Sequence, residues 1–171
     1  NKYMAAKGYD GENPWHDWAN AAEDDTGKIL SGWLLAHADK PARTAEEDSE
    51  TPFMTRRAMQ FIDEAEAANQ RWCCHLSFIK PHWPYMAPAP YHALYGPGDI
   101  PPANRTEAER AAPHPVTAAF MTHGESQCFA EEECRRTVSP TYMGLIAQID
   151  AHLGRLFEHL KKTGQWDDTL I

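Results

Sequence analysis

The strongest constraint on the fold is a long amphipathic segment near the end of the chain. Between Pro140 and Gly164, apolar side chains recur every three or four residues and form one stripe over about five turns of helix. The stripe consists of Tyr142, Leu145, Ile146, Ile149, Leu153, Leu156, Phe157 and Leu160. Proline is favoured at helix starts and glycine at helix ends. The spacing predicts a helix over residues 140–163 that must pack against another layer.

A second helix and a strand are predicted in the middle of the chain. Ser49 or Thr51 can cap a helix whose first turn holds Pro52, and apolar residues then follow at helical spacing. These are Met54, Ala58, Phe61, Ile62 and Ala65. After this helix over 52–67, the apolar residues 71–79 predict a strand buried on both faces. A helix leading into a buried strand indicates an α/β fold with a parallel sheet.

The remaining segments predict mainly loops, apart from "EEECRR" at 131–136, which is expected to be helical and exposed to solvent. Residues 1–48 show little periodicity, seven prolines fall within 81–102, and 101–136 resemble a variable insertion. The last residues, "WDDTLI", resemble the start of another strand, and the first residue is Asn1 instead of Met. With 171 residues, the chain has the size of one domain. We therefore expect residues 1–171 to be an interior portion of one domain of a longer protein.

Charge and composition exclude several classes of partner. The formal net charge of −9 argues against nucleic acids and anionic membrane surfaces. No apolar run approaches the roughly 18 residues of a membrane span, and no signal peptide is recognisable. The acidic residues are concentrated before residue 70, so an anion site is expected after it. The oligomeric state and the compartment are left open, with the cytoplasm favoured.

The four cysteines are interpreted as buried thiols. Cys73 and Cys74 are adjacent and would point to opposite faces of a strand, while Cys128 and Cys134 are six residues apart. No C-x-x-C pair occurs, although a zinc site remains the alternative.

The stretch "LSFIKPHWPY" contains the candidate site. The predicted strand ends at Lys80 and His82, and Pro81 and Pro84 restrict the backbone around them. Ligands of open α/β sheets bind at the ends of strands, and an imidazole can donate to an anionic phosphoryl or sulfuryl oxygen. An ordinary surface histidine is the alternative from these residues alone.

Three blocks of the chain resemble the sulfatase family of the alkaline phosphatase superfamily. They are "FIKPHWPY" with "APAPYHALY", the helix "EDSETPFMTRRAMQFIDE", and "YMGLIAQIDAHLGRLFEHLKKTGQWDDTLI". Within that family the chain is most similar to phosphonate monoester hydrolases and phosphodiesterases. The resemblance implies a partial sulfatase-like sheet with packed helices and long loops.

The resemblance also implies roles for two residues. His82 matches the histidine that contacts a non-bridging oxygen of the transferred group, which makes it the catalytic candidate, and Lys80 is a second candidate for substrate binding. The family uses a divalent metal ion, such as calcium or manganese, and a formylglycine nucleophile. This chain has no Cys-x-Pro-x-Arg segment, and "THGES" lacks the aspartate of the family's metal segment, which would follow Ile171. Metal ligands and nucleophile are therefore expected outside the chain.

Other polar and aromatic residues are weaker candidates. His75 is expected in the core, Tyr91 and His92 could line a pocket mouth, and His152 and His159 are expected in solvent. Structural or solvent-exposed positions are expected for Asp24, Asp25, His114, His123, Trp15, Trp18 and Trp33.

Together these features predict part of a hydrolase acting on small phosphonate monoesters, phosphodiesters or sulfate esters. A non-catalytic chain that binds a partner through its proline-rich loop and tryptophans is the alternative.

Overall fold

Two long helices form the frame of the molecule. The computed structural model describes residues 2–171, except for the side chain of Glu125. Helix α2 spans Glu50–Ala67 and helix α6 spans Glu132–Lys162, and the two pack against each other. Nε2 of His159 on α6 lies 2.7 Å from Oδ1 of Asp63 on α2, which joins the pair near one end.

The predicted second helix is confirmed. Helix α2 begins two residues before Pro52 and buries Thr55, Ala58 and Ile62 at helical spacing. It ends in a left-handed residue, Asn69 with φ 51°, whose N–H donates to the carbonyl of Glu66. Asparagine tolerates this conformation better than most residues, so it can end a helix as glycine does.

The start of the long helix was predicted wrongly. Helix α6 begins at Glu132, eight residues before Pro140, which lies inside it. Glu132 and Glu133 in its first turn suit the positive end of the helix dipole, and Val138 is fully buried. Packing and dipole therefore extend the helix across a proline that locally favours a start.

The predicted end of α6 is confirmed. Gly164 has φ +72°, and its N–H donates to the carbonyl of Lys161 while the N–H of Gln165 donates to that of Leu160. This pair of bonds satisfies carbonyls that the helix end leaves open.

The face that α6 buries agrees only in part with the predicted stripe, of which Leu145 and Leu160 are buried. The residues packed inside are Val138, Thr141, Gly144, Leu145, Gln148, His152 and Leu160. Tyr142 and Ile146, two members of the apolar stripe, are 41% and 45% exposed. The stripe thus remains partly open, and the neighbouring, more polar side of the helix contacts the rest of the chain.

The first part of the chain contains short elements that its sequence did not predict. Helix α1 spans Lys2–Ala6, and strands β1 (Ala21–Glu23) and β2 (Ile29–Ser31) form an antiparallel hairpin. Oδ1 of Asp24 accepts hydrogen bonds from Thr26 and from the N–H of Lys28 in the connecting turn. Strands of three residues are too short to show periodicity, so this segment was interpreted as loop.

Residues 71–79 do not form the predicted strand. They contain no regular secondary structure, and the only sheet among residues 2–171 is the β1–β2 hairpin. Cys73, Cys74 and His75, which were expected to be buried, are exposed. A strand needs neighbours for its backbone hydrogen bonds, and none pairs with this segment within the described residues. The last residues, 169–171, likewise form no strand.

Three short helices precede α6. They are α3 (Glu107–Ala111), α4 (Pro115–Phe120) and α5 (Gly124–Ala130). Thr106 and Glu109 form a reciprocal capping box at the start of α3. Each helix within residues 2–171 is too short or too polar to cross a bilayer.

Candidate functional site

The loop that carries His82 rests on a buried base. Pro84, Met86 and Ala87 are at most about 2% exposed, and the carbonyl of Ala87 accepts a 2.8 Å hydrogen bond from the N–H of Ala42. Trp83 and Tyr85 pack against a core formed by Leu35, Ala38 and Val138. The apolar side chains that follow His82 thus hold this loop against the body of the chain.

The imidazole of His82 is exposed and has a defined orientation. Its Nδ1 lies 2.6 Å from the carbonyl oxygen of Trp83, and its backbone N–H donates to Ile79. A carbonyl oxygen only accepts, so Nδ1 carries the proton of this bond. Nε2 is then the ring atom left for an external ligand, and it donates to an anionic oxygen when the ring is protonated.

The side chain of Lys80 turns into the chain, unlike that of His82. Its Nζ donates to the carbonyl of Pro84 at 2.5 Å and to Oδ1 of Asn20 at 3.1 Å. Burial lowers the pKa of Lys80 to about 8, partly offset by the nearby carboxylate of Glu50. The structure therefore brings His82 and Lys80 into one loop but orients them differently.

A small cavity lies beside Lys80. Its volume is about 20 Å³, and Lys80, Glu50, Thr44 and Gln148 are among the residues that line it. Oε2 of Glu50 and Oγ1 of Thr44 are buried without a hydrogen-bond partner in the described chain. Burial raises the pKa of Glu50, against the opposing effects of the Ile79 N–H and of Lys80.

Sequence reasoning missed Asn20 and Glu50 as neighbours of Lys80. Asn20 precedes Lys80 by sixty positions and ends a single helical turn at Trp15–Ala19. Glu50 is the first residue of α2, where it resembles any acidic residue of a first helical turn. No local pattern marks either residue, because only the fold brings them to the loop.

His92 and Tyr91 lie apart from the candidate site. Both belong to a single 3-10 turn at Tyr91–Ala93 that packs on α6. His92 borders an open cleft together with Asp39 and Arg136, and burial lowers its pKa against the charge of Asp39. Neither His82 nor Lys80 lines this cleft.

The expectation for His152 was wrong. Its side chain is 2% exposed, and Nε2 donates to Oε1 of Glu46 at 2.7 Å. His159 is partly exposed and pairs with Asp63, and His114 caps α4 by accepting from Val116. All three histidines thus form hydrogen bonds with other residues of the chain.

The tryptophans pack against neighbours within the chain. Trp33 contacts Trp83 edge-on, with ring centroids 4.4 Å apart, and donates from Nε1 to Nδ1 of His16. Trp18 stacks under the guanidinium of Arg43 at 3.9 Å, and Trp15 lies against Trp33.

The described residues do not provide a metal centre. Among the described side chains, which leave out that of Glu125, no three of His, Cys, Asp or Glu come close enough to share an ion. Cys128 and Cys134 meet where α5 packs on α6, and burial together with hydrogen bonding to Cys128 raises the pKa of Cys134 to about 12. A neutral thiol is a poor metal ligand.

Comparison with known proteins identifies the family. The sulfatase family model matches residues 3–171. The chain is 38% identical over 146 residues to the multifunctional alkaline phosphatase superfamily protein PehA of Trinickia caryophylli. This alignment covers 78% of this chain and 28% of PehA. It is 28% identical over 130 residues to the choline-sulfatase of Rhizobium meliloti, covering 74% and 25% of the two chains.

Two solved structures share the fold. The phosphonate monoester hydrolase of Silicibacter pomeroyi superposes with a TM-score of 0.76 at 34% identity, over 99% of this chain and 34% of that one. The phosphonate monoester hydrolase of Agrobacterium radiobacter gives a TM-score of 0.74 at 26% identity, with the same coverage. The chain thus spans between a quarter and a third of the length of these relatives.

The fold and the matches define a part of a sulfatase-like α/β domain, and the chain belongs to the sulfatase family of the alkaline phosphatase superfamily. Within that family it is close to the phosphonate monoester hydrolases. The resemblance seen in the sequence is therefore confirmed. Members of this family act on sulfate and phosphate esters, so membership does not favour the non-catalytic alternative.

Proposed function

We propose that the complete protein containing this chain hydrolyses phosphonate monoesters and phosphodiesters, with sulfate esters as poorer substrates. The similarity to two phosphonate monoester hydrolases supports placing phosphonate monoesters among the preferred substrates. We further propose that residues 1–171 form an interior portion of its catalytic domain. Metal ligands and nucleophile would lie elsewhere in that domain, consistent with the share of its relatives that the chain covers.

We assign to His82 the contact with a non-bridging oxygen of the transferred group. The observation that carries this assignment is the orientation of an exposed imidazole by the carbonyl of Trp83 at 2.6 Å. Because that bond uses Nδ1, Nε2 must be protonated in order to donate to the substrate. An oriented donor adds transition-state stabilisation without reorganising during the reaction.

Substrate charge provides a second argument. Phosphodiesters, phosphonate monoesters and sulfate monoesters carry one negative charge near neutral pH, whereas a phosphate monoester carries closer to two. The chain itself has a formal net charge of −9, and His82 is the one hydrogen-bond donor that we place at the substrate. A singly charged ester therefore suits this side of the site better than a doubly charged one.

The test is a comparison of kcat/KM for four substrates that share one leaving group. We expect the phosphodiester and the phosphonate monoester to be hydrolysed most efficiently, the sulfate ester less so, and the phosphate monoester least. If the phosphate monoester is preferred, the charge argument is wrong. A clear preference for the sulfate ester would place the protein with the arylsulfatases and leave the role of His82 intact.

The role of His82 is tested in the same assay. His82→Ala should lower kcat about 100-fold, the scale for losing one transition-state donor. His123→Ala is the matched control, since His123 is exposed and only stacks on Phe120. Equal rates for both variants would refute the assignment.

The proposal that the metal site lies elsewhere has its own test. Residues 1–171 alone should show no micromolar binding of calcium, manganese or zinc by calorimetry, because the described residues bring no three suitable ligands together. Binding with a defined stoichiometry would support the zinc alternative instead.

A further inference from the structure

We propose that Lys80 is a positioning residue for His82: its buried ammonium group fixes the loop from which the imidazole contacts the substrate. This inference rests on the function proposed above for His82. The family resemblance suggested that Lys80 binds the substrate directly. We infer instead that Lys80 affects the reaction by orienting His82.

The side chains of Lys80 and His82 are connected indirectly, because each donates to one of two consecutive backbone carbonyl groups. Nζ of Lys80 donates to the carbonyl of Pro84 at 2.5 Å, and Nδ1 of His82 donates to the carbonyl of Trp83 at 2.6 Å. The pyrrolidine ring fixes φ of Pro84. The peptide planes that contain the carbonyl groups of Trp83 and Pro84 then differ only by rotation about ψ of Pro84. Holding the carbonyl of Pro84 therefore limits the direction of the carbonyl of Trp83.

The anchor of Lys80 is itself fixed. Oδ1 of Asn20 accepts the second hydrogen bond of the ammonium group, and Asn20 is 1% exposed. The amide of Asn20 donates to the carbonyl of Trp15, and its backbone carbonyl accepts from the N–H of Gly32 at 2.8 Å. Lys80 therefore ties the loop to a buried and hydrogen-bonded residue of the first part of the chain.

The surroundings of the ammonium group explain why a lysine occupies this position. The 20 Å³ cavity beside it is bordered by the carboxylate of Glu50 and the hydroxyl of Thr44. The carboxylate of Glu50 favours the charged form of the amine. Two donors of Lys80 are used inside the chain, which leaves His82 as the exposed donor of the pair.

A double-mutant cycle in the complete protein separates positioning from direct contact. Lys80→Met keeps the length of the side chain and removes its donors. We expect it to lower kcat between about 10-fold and 100-fold, the scale of a small misplacement, with little change in KM. If Lys80 acts through His82, Lys80→Met combined with His82→Ala should be no slower than His82→Ala alone, within about threefold.

The controls keep the outcomes distinct. Lys161→Met removes a largely exposed lysine and should leave the rate unchanged. Thermal unfolding confirms that each variant is folded, and Lys80→Gln replaces Lys80→Met in the cycle if the latter does not fold. Loss of folding in both variants would overturn the inference, because Lys80 would then support the fold as a whole.

Three kinetic results would contradict the inference. If His82→Ala is slow but the effects of the two substitutions multiply, Lys80 contacts the substrate independently and the positioning role is wrong. The same conclusion follows if Lys80→Met has the wild-type rate. If His82→Ala itself has the wild-type rate, the role proposed for His82 fails, and the inference fails with it, whereas the proposed hydrolase activity stands.

Discussion

Nε2 of His152 lies 2.7 Å from Oε1 of Glu46, and this contact joins the middle of α6 to the segment just before α2. The same carboxylate oxygen accepts from Nε2 of Gln148, which also donates to the hydroxyl of Ser49. The network is buried on the α6 side and links residues about one hundred positions apart. It fixes the start of α2, whose first residue, Glu50, borders the cavity beside Lys80.

His152→Ala should therefore destabilise the protein. Removing a partner from a buried hydrogen-bonded network costs about 1–3 kcal/mol of the free energy of unfolding. His159→Ala is the control: it removes a hydrogen bond of the same length, to the largely exposed Asp63, and should cost less than about 1 kcal/mol. Urea-induced unfolding at pH 7 measures both, and equal losses would contradict the structural role of His152.

Acidification should reduce the effect of His152→Ala. Burial alone would raise the pKa of Glu46, but hydrogen bonds from Gln148 and His152, with the charge of Arg155, hold it below its usual value of 4.5. A carboxyl with a lowered pKa stabilises the fold above its unfolded pKa, and this stabilisation is lost as the pH falls through the folded pKa. The difference between wild type and variant should thus shrink below about pH 4.5. A constant difference would show that Glu46 is not the charged partner.

Two glycines of α6 should respond in opposite directions to alanine. A Cβ on Gly144 would overlap the backbone carbonyl oxygen of Tyr91, whereas a Cβ on Gly154 would meet no atom within 4 Å. Gly144→Ala should cost roughly 1–3 kcal/mol through the displaced turn. Gly154→Ala should gain up to about 1 kcal/mol, because alanine favours the helix. Thermal unfolding of the two variants is the measurement, and a destabilised Gly154→Ala would mean that this face is covered in the complete protein.

The stability of the protein should rise with pH in the alkaline range because of Lys80. Its pKa is lowered from 10.5 to about 8, so between these values the unfolded chain binds more protons than the folded one. The free energy of unfolding then increases with pH over that window. Lys80→Met should flatten this rise, while Lys161→Met should retain it. An unchanged slope in Lys80→Met would show that another group titrates there.

Thiol alkylation tests the placement of the cysteines. In residues 1–171 alone, iodoacetamide at pH 8 should modify the exposed Cys73 and Cys74 at least about tenfold faster than Cys134, whose pKa is raised to about 12. In the complete protein we expect Cys73 and Cys74 to be protected, because residues 71–79 would gain strand neighbours from the remainder of the domain. Equal reactivity of these two cysteines in both proteins would show that residues 71–79 gain no strand neighbours in the complete protein. Mass spectrometry of the digested protein gives each rate.

Local sequence signals determined the two main helices and the family. The spacing of apolar residues within 52–67 and 140–163, and Gly164 at the helix end, depend on contacts within a few residues, so they were readable from the chain. The segment around His82 was equally readable, because its prolines and its histidine are adjacent in sequence. The family match over residues 3–171 bears out the resemblance that these segments suggested.

Only the tertiary structure decided which polar groups meet. Lys80 turns inward because Asn20, sixty positions earlier, offers an acceptor there, and His152 is buried because Glu46 reaches it across the helix pair. Residues 71–79 have the composition of a buried strand, yet they form none here, since strand hydrogen bonds need a neighbouring backbone. Hydrogen-bond partners and sheet neighbours are set by distant parts of the chain. The sequence could therefore propose His82 and Lys80 as candidates, but not the directions in which their side chains point.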